Sequence, residues 1–122
     1  MTIRRKRVYE PPAPEDGFRV LIDGLWPRGV SHERAAIALW ARELAPSDEL
    51  RRWYGHQQER FEEFGRLYRD ELDGRRELLT DLRRRARSGT VTLVFAARDA
   101  EHSNAAVLED VLRHGLPSRT AQ

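Results

Sequence analysis

Val91-Thr92-Leu93-Val94-Phe95-Ala96-Ala97-Arg98-Asp99-Ala100-Glu101-His102-Ser103-Asn104 is the stretch on which the fold turns. It opens with a short apolar, β-branched run, the pattern of a strand buried on both faces. It then turns polar, and from Ser103 it reads as the start of a helix. A strand that passes through a polar loop into a helix is where open α/β sheets place their ligands. The helix start offers unpaired backbone N–H groups and the positive end of a dipole. Around this junction lie a fixed cation (Arg98), a carboxylate (Asp99), an imidazole (His102) and an amide (Asn104).

The segments before this strand are helical. In Arg76 to Arg87 the residues Leu78, Leu79, Leu82 and Ala86 form an inner face, and Gly89 is a natural stop. In Gln58 to Leu72 the apolar residues Phe61, Phe64, Leu67, Tyr68 and Leu72 recur at three- and four-residue steps, an amphipathic pattern. Ser47 is an N-cap type followed by Asp48 and Glu49 in the dipole-favoured first turn, with Gly55 as the stop. Ser31 caps a helix through Arg34-Ala35-Ala36, and Leu39, Trp40 and Leu44 supply apolar anchors before Pro46.

Two strands precede these helices. Phe18 to Asp23 is the stronger. Thr2 to Tyr9, built around Arg4-Arg5-Lys6-Arg7, belongs at a sheet edge where charge is tolerated. Glu10 to Gly17, with three prolines and an Asp-Gly pair, is a loop, and Gly24 to Val30 is a second. After the stretch, Ser103 to His114 buries Val107, Leu108, Val111 and Leu112. Gly115 and Pro117 end that helix, and the tail 116–122 is expected to fray.

The order β-β-α-α-α-α-β-α predicts one α/β domain over 1–122: a small, mainly parallel sheet of about three strands covered by about five helices. A strand, a long helical crossover and a second strand favour a parallel pair. If strands two and three are parallel, their carboxyl ends share one sheet edge. Loops 24–30 and 97–104 then face each other across a single cleft.

Composition narrows the function classes. The chain has 122 residues, 39 % hydrophobic and 34 % charged, so it carries enough apolar side chains for one core. No stretch approaches the roughly 20 apolar residues of a membrane span, and no signal-peptide core follows the basic N-terminus. A cytoplasmic protein without membrane partners is expected. The absence of cysteine excludes a thiol nucleophile, a disulfide framework and a Cys-type metal site from this chain. Of its 22 basic residues Lys6 is the single lysine, yet net charge is only +2 because acidic residues are interspersed. An arginine-rich codon bias accounts for this as well as phosphate binding does.

Trp26, Arg28, Arg98, Asp99, Ser103 and Asn104 are the candidate ligand-binding residues. Arg28 and Arg98 can clamp a phosphate or carboxylate bidentately. Trp26 can stack on a ring or anchor the core. Asp99 can hold Arg98 or cap the helix. Asp23, which ends its strand, and His102 are the catalytic candidates as acid/base groups. The commoner reading of Asp23 is a loop cap, and of His102 a capping or surface residue. No metal site is expected, since His32, His56, His102 and His114 lack ligand spacing. No cofactor fingerprint or nucleophile elbow occurs. The leading expectation is a binder, or an enzyme, of a small anionic ligand. The alternatives are a nucleic-acid module using the basic segments 4–7 and 83–87, or a protein-interaction domain. No oligomeric state is fixed by these residues.

Lys6-Arg7-Val8-Tyr9, Asp16-Gly17-Phe18-Arg19-Val20-Leu21-Ile22-Asp23, Leu25-Trp26-Pro27-Arg28-Gly29, Leu44-Ala45-Pro46-Ser47 and Ala97-Arg98-Asp99 with His102 and Asn104 resemble the YeaO-like family of small bacterial proteins. The resemblance spans about residues 3–114 and implies no settled activity. A distant branch has a Cys-His-Arg cluster near the last helix, where this chain has His102-Ser103-Asn104. The family pattern places Arg between the aspartate and the leucine of Leu25-Trp26-Pro27. This chain has Gly24 there, so one cationic fork is missing.

Overall fold

The computed structural model describes residues 1–117. Its regular elements are β1 (Thr2–Arg7), β2 (Phe18–Leu21), α1 (His32–Ala35), β3 (Leu39–Trp40), α2 (Asp48–Tyr54), α3 (Phe61–Leu72), α4 (Arg76–Ser88), β4 (Thr90–Phe95) and α5 (Asn104–His114). The four strands lie in the order β1-β4-β2-β3. Every pairing is parallel, with Ile3 opposite Val91, Phe18 opposite Val91 and Val20 opposite Leu39.

β4 is therefore the spine. Val91, Leu93 and Phe95 point to one face, where Ile3, Val20 and Ile22 join them under side chains from α2 to α5, including Phe64, Tyr68, Leu82 and Leu108. Val94 and Leu21 point to the other face, under Ala35, Trp26, Ile37 and Trp40. Burial on both faces is what the unbroken apolar run demands. The basic β1 sits at the edge, where its charges reach solvent and loop carbonyls.

The sheet has four strands where three were expected. Leu39 and Trp40, expected as apolar anchors before Pro46, form β3, which pairs with Val20 and Leu21. A two-residue strand carries no period of its own. It is made by pairing, as Ala41 N donates to Leu21 O at 2.8 Å. The expected caps are in place: Ser31, Ser47 and Ser103 accept from Arg34, Leu50 and Ala106 N–H respectively. Gly55 closes α2 with a left-handed φ of 52°. In the expected frayed tail, Leu116 packs against the core, and residues 118–122 lie outside the described residues. Among the described residues no helix is long and apolar enough to cross a membrane.

At the amino-terminal end of β2 lies a buried ionic cluster. Asp16 is fully buried and accepts from Arg19 Nη1 at 2.7 Å and from Lys6 Nζ at 3.1 Å. Ala13 N–H donates to the same carboxylate at 3.0 Å. Burial pushes the Asp16 carboxyl up, but the donors from Ala13, Lys6 and Arg19 outweigh it and hold it below its ordinary value. Arg19 also donates to the carbonyls of Ala35 and Ala36, tying α1 to the sheet.

Candidate ligand-binding cleft

β2 and β4 run parallel, so both release their loops at the same end, and those loops line one cleft of about 730 Å3. Gly24 to Arg28 come from the loop after β2, Ala97 to Asp99 from the loop after β4, and Ser103 and Asn104 from the start of α5. A third wall was not read from the sequence: Pro46, Asp48, Arg51, Tyr54 and His56, on and around α2. The only signal for it was the glycine stop at Gly55, which ends α2 beside the cleft residues Tyr54 and His56.

Asp23 sits where the two strands end. Its carboxylate accepts from Ala96 N–H at 2.9 Å and from Asn104 Nδ2 at 3.0 Å, and Trp40 Nε1 donates to its carbonyl at 2.8 Å. No cation pairs with it among the described residues. Burial pushes the Asp23 carboxyl above its ordinary value, while the Asn104 amide, Ala96 N–H and the charge of His56 pull it partway back. Asn104 Nδ2 also donates to Ile22 O at 3.2 Å. With two acceptors beside it, that atom must be the nitrogen, because the flipped amide would set an oxygen against two oxygens. So Asn104 crosses from α5 to β2 and fixes Asp23.

Arg28 and Arg98 are both exposed and line the cleft, one on each loop. Neither guanidinium has a carboxylate within ion-pair reach among the described residues. Arg51 is different: it lies 3.6 Å from Asp48 on its own helix.

Two predicted site residues have other work. Trp26 stacks on His32 with ring centroids 3.8 Å apart, meets Trp40 edge-on at 5.4 Å and donates from Nε1 to Val30 O at 2.6 Å. It borders the cleft, yet one ring face is covered and the ring belongs to the second core. His102 does not line the cleft. Its ring lies against the edge of Phe61, with Nδ1 2.8 Å from Asp99 Oδ2. Asp99 also accepts from His102 N–H at 3.3 Å and from Gln58 Nε2 at 2.9 Å. The His102 contact foremost, then Gln58, holds the Asp99 carboxyl below its ordinary value. Tyr54 OH donates to His102 O, and Ser103 Oγ donates to Ala100 O at 2.8 Å. Burial, then the Asp99 charge, pushes the Tyr54 hydroxyl up. Among the described residues no group of three His, Asp or Glu could hold a metal ion.

The basic run in β1 is used inside the molecule. Arg5 pairs with Glu109 at 2.8 Å and donates to Ala100 O at 2.8 Å. Arg7 donates to Ala97 O at 3.0 Å and Ala96 O at 3.2 Å. Together they hold the loop after β4 from behind. In the second basic segment Arg85 lies over the Phe18 ring at 4.0 Å and Arg84 pairs with Asp81 at 3.2 Å. Arginines already committed to carbonyls, carboxylates and a ring are poor material for a phosphate-tracking surface.

A small parallel α/β domain whose two loops meet at one sheet edge is the class that these elements define, and sequence comparison places it more closely. Residues 2–122 match the family model described as the inactive DUF488-N3 subclade, and the chain belongs to that family. It is 44 % identical over 110 residues to uncharacterized proteins of Mycobacterium tuberculosis and Mycobacterium bovis, covering 90 % of this chain and 92 % of theirs. It is 36 % identical over 118 residues to the uncharacterized protein YeaO of Escherichia coli, covering 93 % of this chain and 98 % of that one. No solved structure matches significantly.

Proposed function

We propose that the cleft binds a small molecule bearing a phosphate or carboxylate. One observation carries this reading: Arg28 and Arg98, two exposed guanidinium groups without a carboxylate partner among the described residues, stand on the two loops that line the same cleft. A guanidinium left without a carboxylate keeps its donor fork free for an anion. The start of α5 adds backbone N–H groups beside Ser103 and Asn104. The cleft volume of about 730 Å3 falls in the range of ligand sites, roughly 300–1,000 Å3.

Binding is favoured over turnover. The family description says inactive, and of the two acid/base candidates only Asp23 reaches the cleft. Asp23 is the group that would carry a proton if the ligand reacts. The test is a thermal-shift screen with inorganic phosphate, sugar phosphates, nucleotides and short carboxylates. A ligand that binds only the folded chain must raise the melting midpoint. Arg28→Ala combined with Arg98→Ala should abolish the rise. Gly24→Arg restores the cation that the resemblance implies. A Cβ at Gly24 would meet only Ala45 Cβ at 3.6 Å, an ordinary contact, and this variant should enlarge the rise. No shift with any of these anions, at concentrations that saturate ordinary metabolite sites, would falsify the reading.

A further inference from the structure

We infer that the molecule held in the cleft is a small zwitterion, its donor-rich cationic head against Asp23 and Asn104 and its anionic end on Arg28 and Arg98. This rests on the anion-binding reading above and adds the other half of the ligand.

The argument is an inventory of hydrogens at the base of the cleft. Asn104 Nδ2 spends both of its hydrogens, on Ile22 O and Asp23 Oδ1. The Tyr54 hydroxyl gives its hydrogen to His102 O, and the Ser103 hydroxyl gives its own to Ala100 O. What these side chains still present is lone pairs. Each Asp23 oxygen accepts one hydrogen bond from the protein and has a second lone pair, and the Asn104 carbonyl oxygen receives no donor among the described residues. A ligand group that reaches this base must therefore bring hydrogens. An acceptor placed there would face oxygen against oxygen, and a purely anionic ligand would in addition meet the Asp23 charge.

The rim has the opposite character. Arg28 and Arg98 are donors only, exposed, and without a carboxylate partner among the described residues, whereas the lining carboxylates Asp48 and Asp99 are taken by Arg51 and by His102 and Gln58. The same cleft is also lined by the apolar residues Leu25, Pro27, Pro46, Phe64 and Ala97. Such walls accept a hydrocarbon spacer. A carboxylate that forms no ion pair among the described residues, eased in charge only by His56 across the cleft, and kept partly buried against its own desolvation cost, is the complement of an ammonium. Burial, which raises the Asp23 carboxyl's proton affinity, acts in the same sense.

The experiment is a set of calorimetric or NMR titrations of the wild-type chain with three matched series. The zwitterions are γ-aminobutyrate, δ-aminovalerate, ε-aminocaproate and the corresponding aminoalkylphosphonates. The controls are alkylamines of the same lengths, which keep only the cation, and alkanoates and alkylphosphonates, which keep only the anion. At least one zwitterion should bind roughly tenfold or more tightly than both of its truncations, the scale of one charge-assisted hydrogen bond. Asp23→Asn, with its fold checked by circular dichroism, should remove the advantage over the anion-only control and leave that control's affinity unchanged or improved. Anion-only compounds that match the zwitterions overturn this inference and leave the anion-binding reading standing. Amines that match the zwitterions overturn both. No saturable binding in any series overturns the zwitterion, and the phosphate and sugar-phosphate screen then judges the anion reading separately. The wild-type series decides without any variant.

Discussion

Asp16 and Asp23 stand two residues before and two residues after the same strand, β2, and they are built in opposite ways. Asp16 is fully buried with Arg19, Lys6 and Ala13 N–H on its oxygens. Asp23 has only neutral donors, the Asn104 amide and Ala96 N–H. One carboxyl titrates below its ordinary value and the other above it. The amino-terminal end of the sheet is thus electrically closed, and the carboxyl-terminal end is left open. That difference separates a joint that holds the fold together from a site with unused bonding capacity.

The largest expected effect falls at the closed end. Asp16→Asn leaves Arg19 and Lys6 without their counter-charge, and should cost about 3 kcal/mol, as when one partner of a buried ion pair is removed. Asp23→Asn removes no cation's partner and should cost clearly less in the same urea titration. If the two losses are equal, the contrast fails.

The glycines sharpen the same contrast. Gly17 has φ +62°, and a Cβ there would stand 2.4 Å from Thr90 O, a backbone atom that cannot give way. Gly17→Ala should therefore cost about 2 kcal/mol or more, strain plus displacement of β4. Gly29, in the cleft loop, has φ +79° and nothing within 4 Å of a Cβ. Gly29→Ala should cost about 1 kcal/mol, the conformational strain alone. A Gly29 variant as damaging as the Gly17 variant would mean that the cleft loop is not open.

A titration gives the third test. Side-chain carboxyl shifts followed by NMR should show Asp16 protonating below, and Asp23 above, the ordinary value of 3.8. The signs for stability are opposite. Asp16 contributes stability that is present above its unfolded value and lost as pH falls through its lower folded value. Asp23 binds its proton more tightly in the folded chain, so its contribution favours the fold at low pH and is lost as pH rises through its higher folded value. The reverse order of the two midpoints would break the comparison.

The smallest effects concern the loop after β4. Asp99 caps the short turn at Ala100–His102, so Asp99→Ala should lower the melting midpoint slightly. Arg98→Ala should leave it unchanged, since no hydrogen bond or ion pair uses that guanidinium among the described residues. A fall with Arg98→Ala would make it a structural residue.

How much of this was legible in the sequence depends on how local the cause is. Val91–Phe95 announces a strand buried on both faces without help from the rest of the chain, and the facing of loops 24–30 and 97–104 follows from one parallel pair. Ser31, Ser47 and Ser103 cap the helices they precede because capping is settled within four residues. β3 was not legible, because two residues become a strand only when β2 offers them a partner. Nor was the wall of Pro46, Arg51, Tyr54 and His56, since which side of α2 meets the cleft depends on its packing against α3. Trp26 could stack on a ligand or on a neighbour, and the neighbour, His32, is placed by α1. The arginines of β1 read as a charged surface, but their partners are carbonyls some ninety residues later, Arg7 reaching Ala96 and Ala97.

The placement of β4 between β1 and β2 also sets a clock. Neither amino-terminal strand pairs with the other, and each pairs with β4: Thr2 with Thr90, and Phe18 with Val91. On a chain made from its amino terminus, β1 has no strand partner, and β2 has only the two-residue β3, until the last strand emerges after α4. Bringing such distant partners together requires large loop closures before β1 or β2 bonds to β4, which slows folding relative to helical proteins of this size. The loop from Ala96 to Asp99 is completed only as that central strand docks, so the cleft is among the last features of the molecule to take shape.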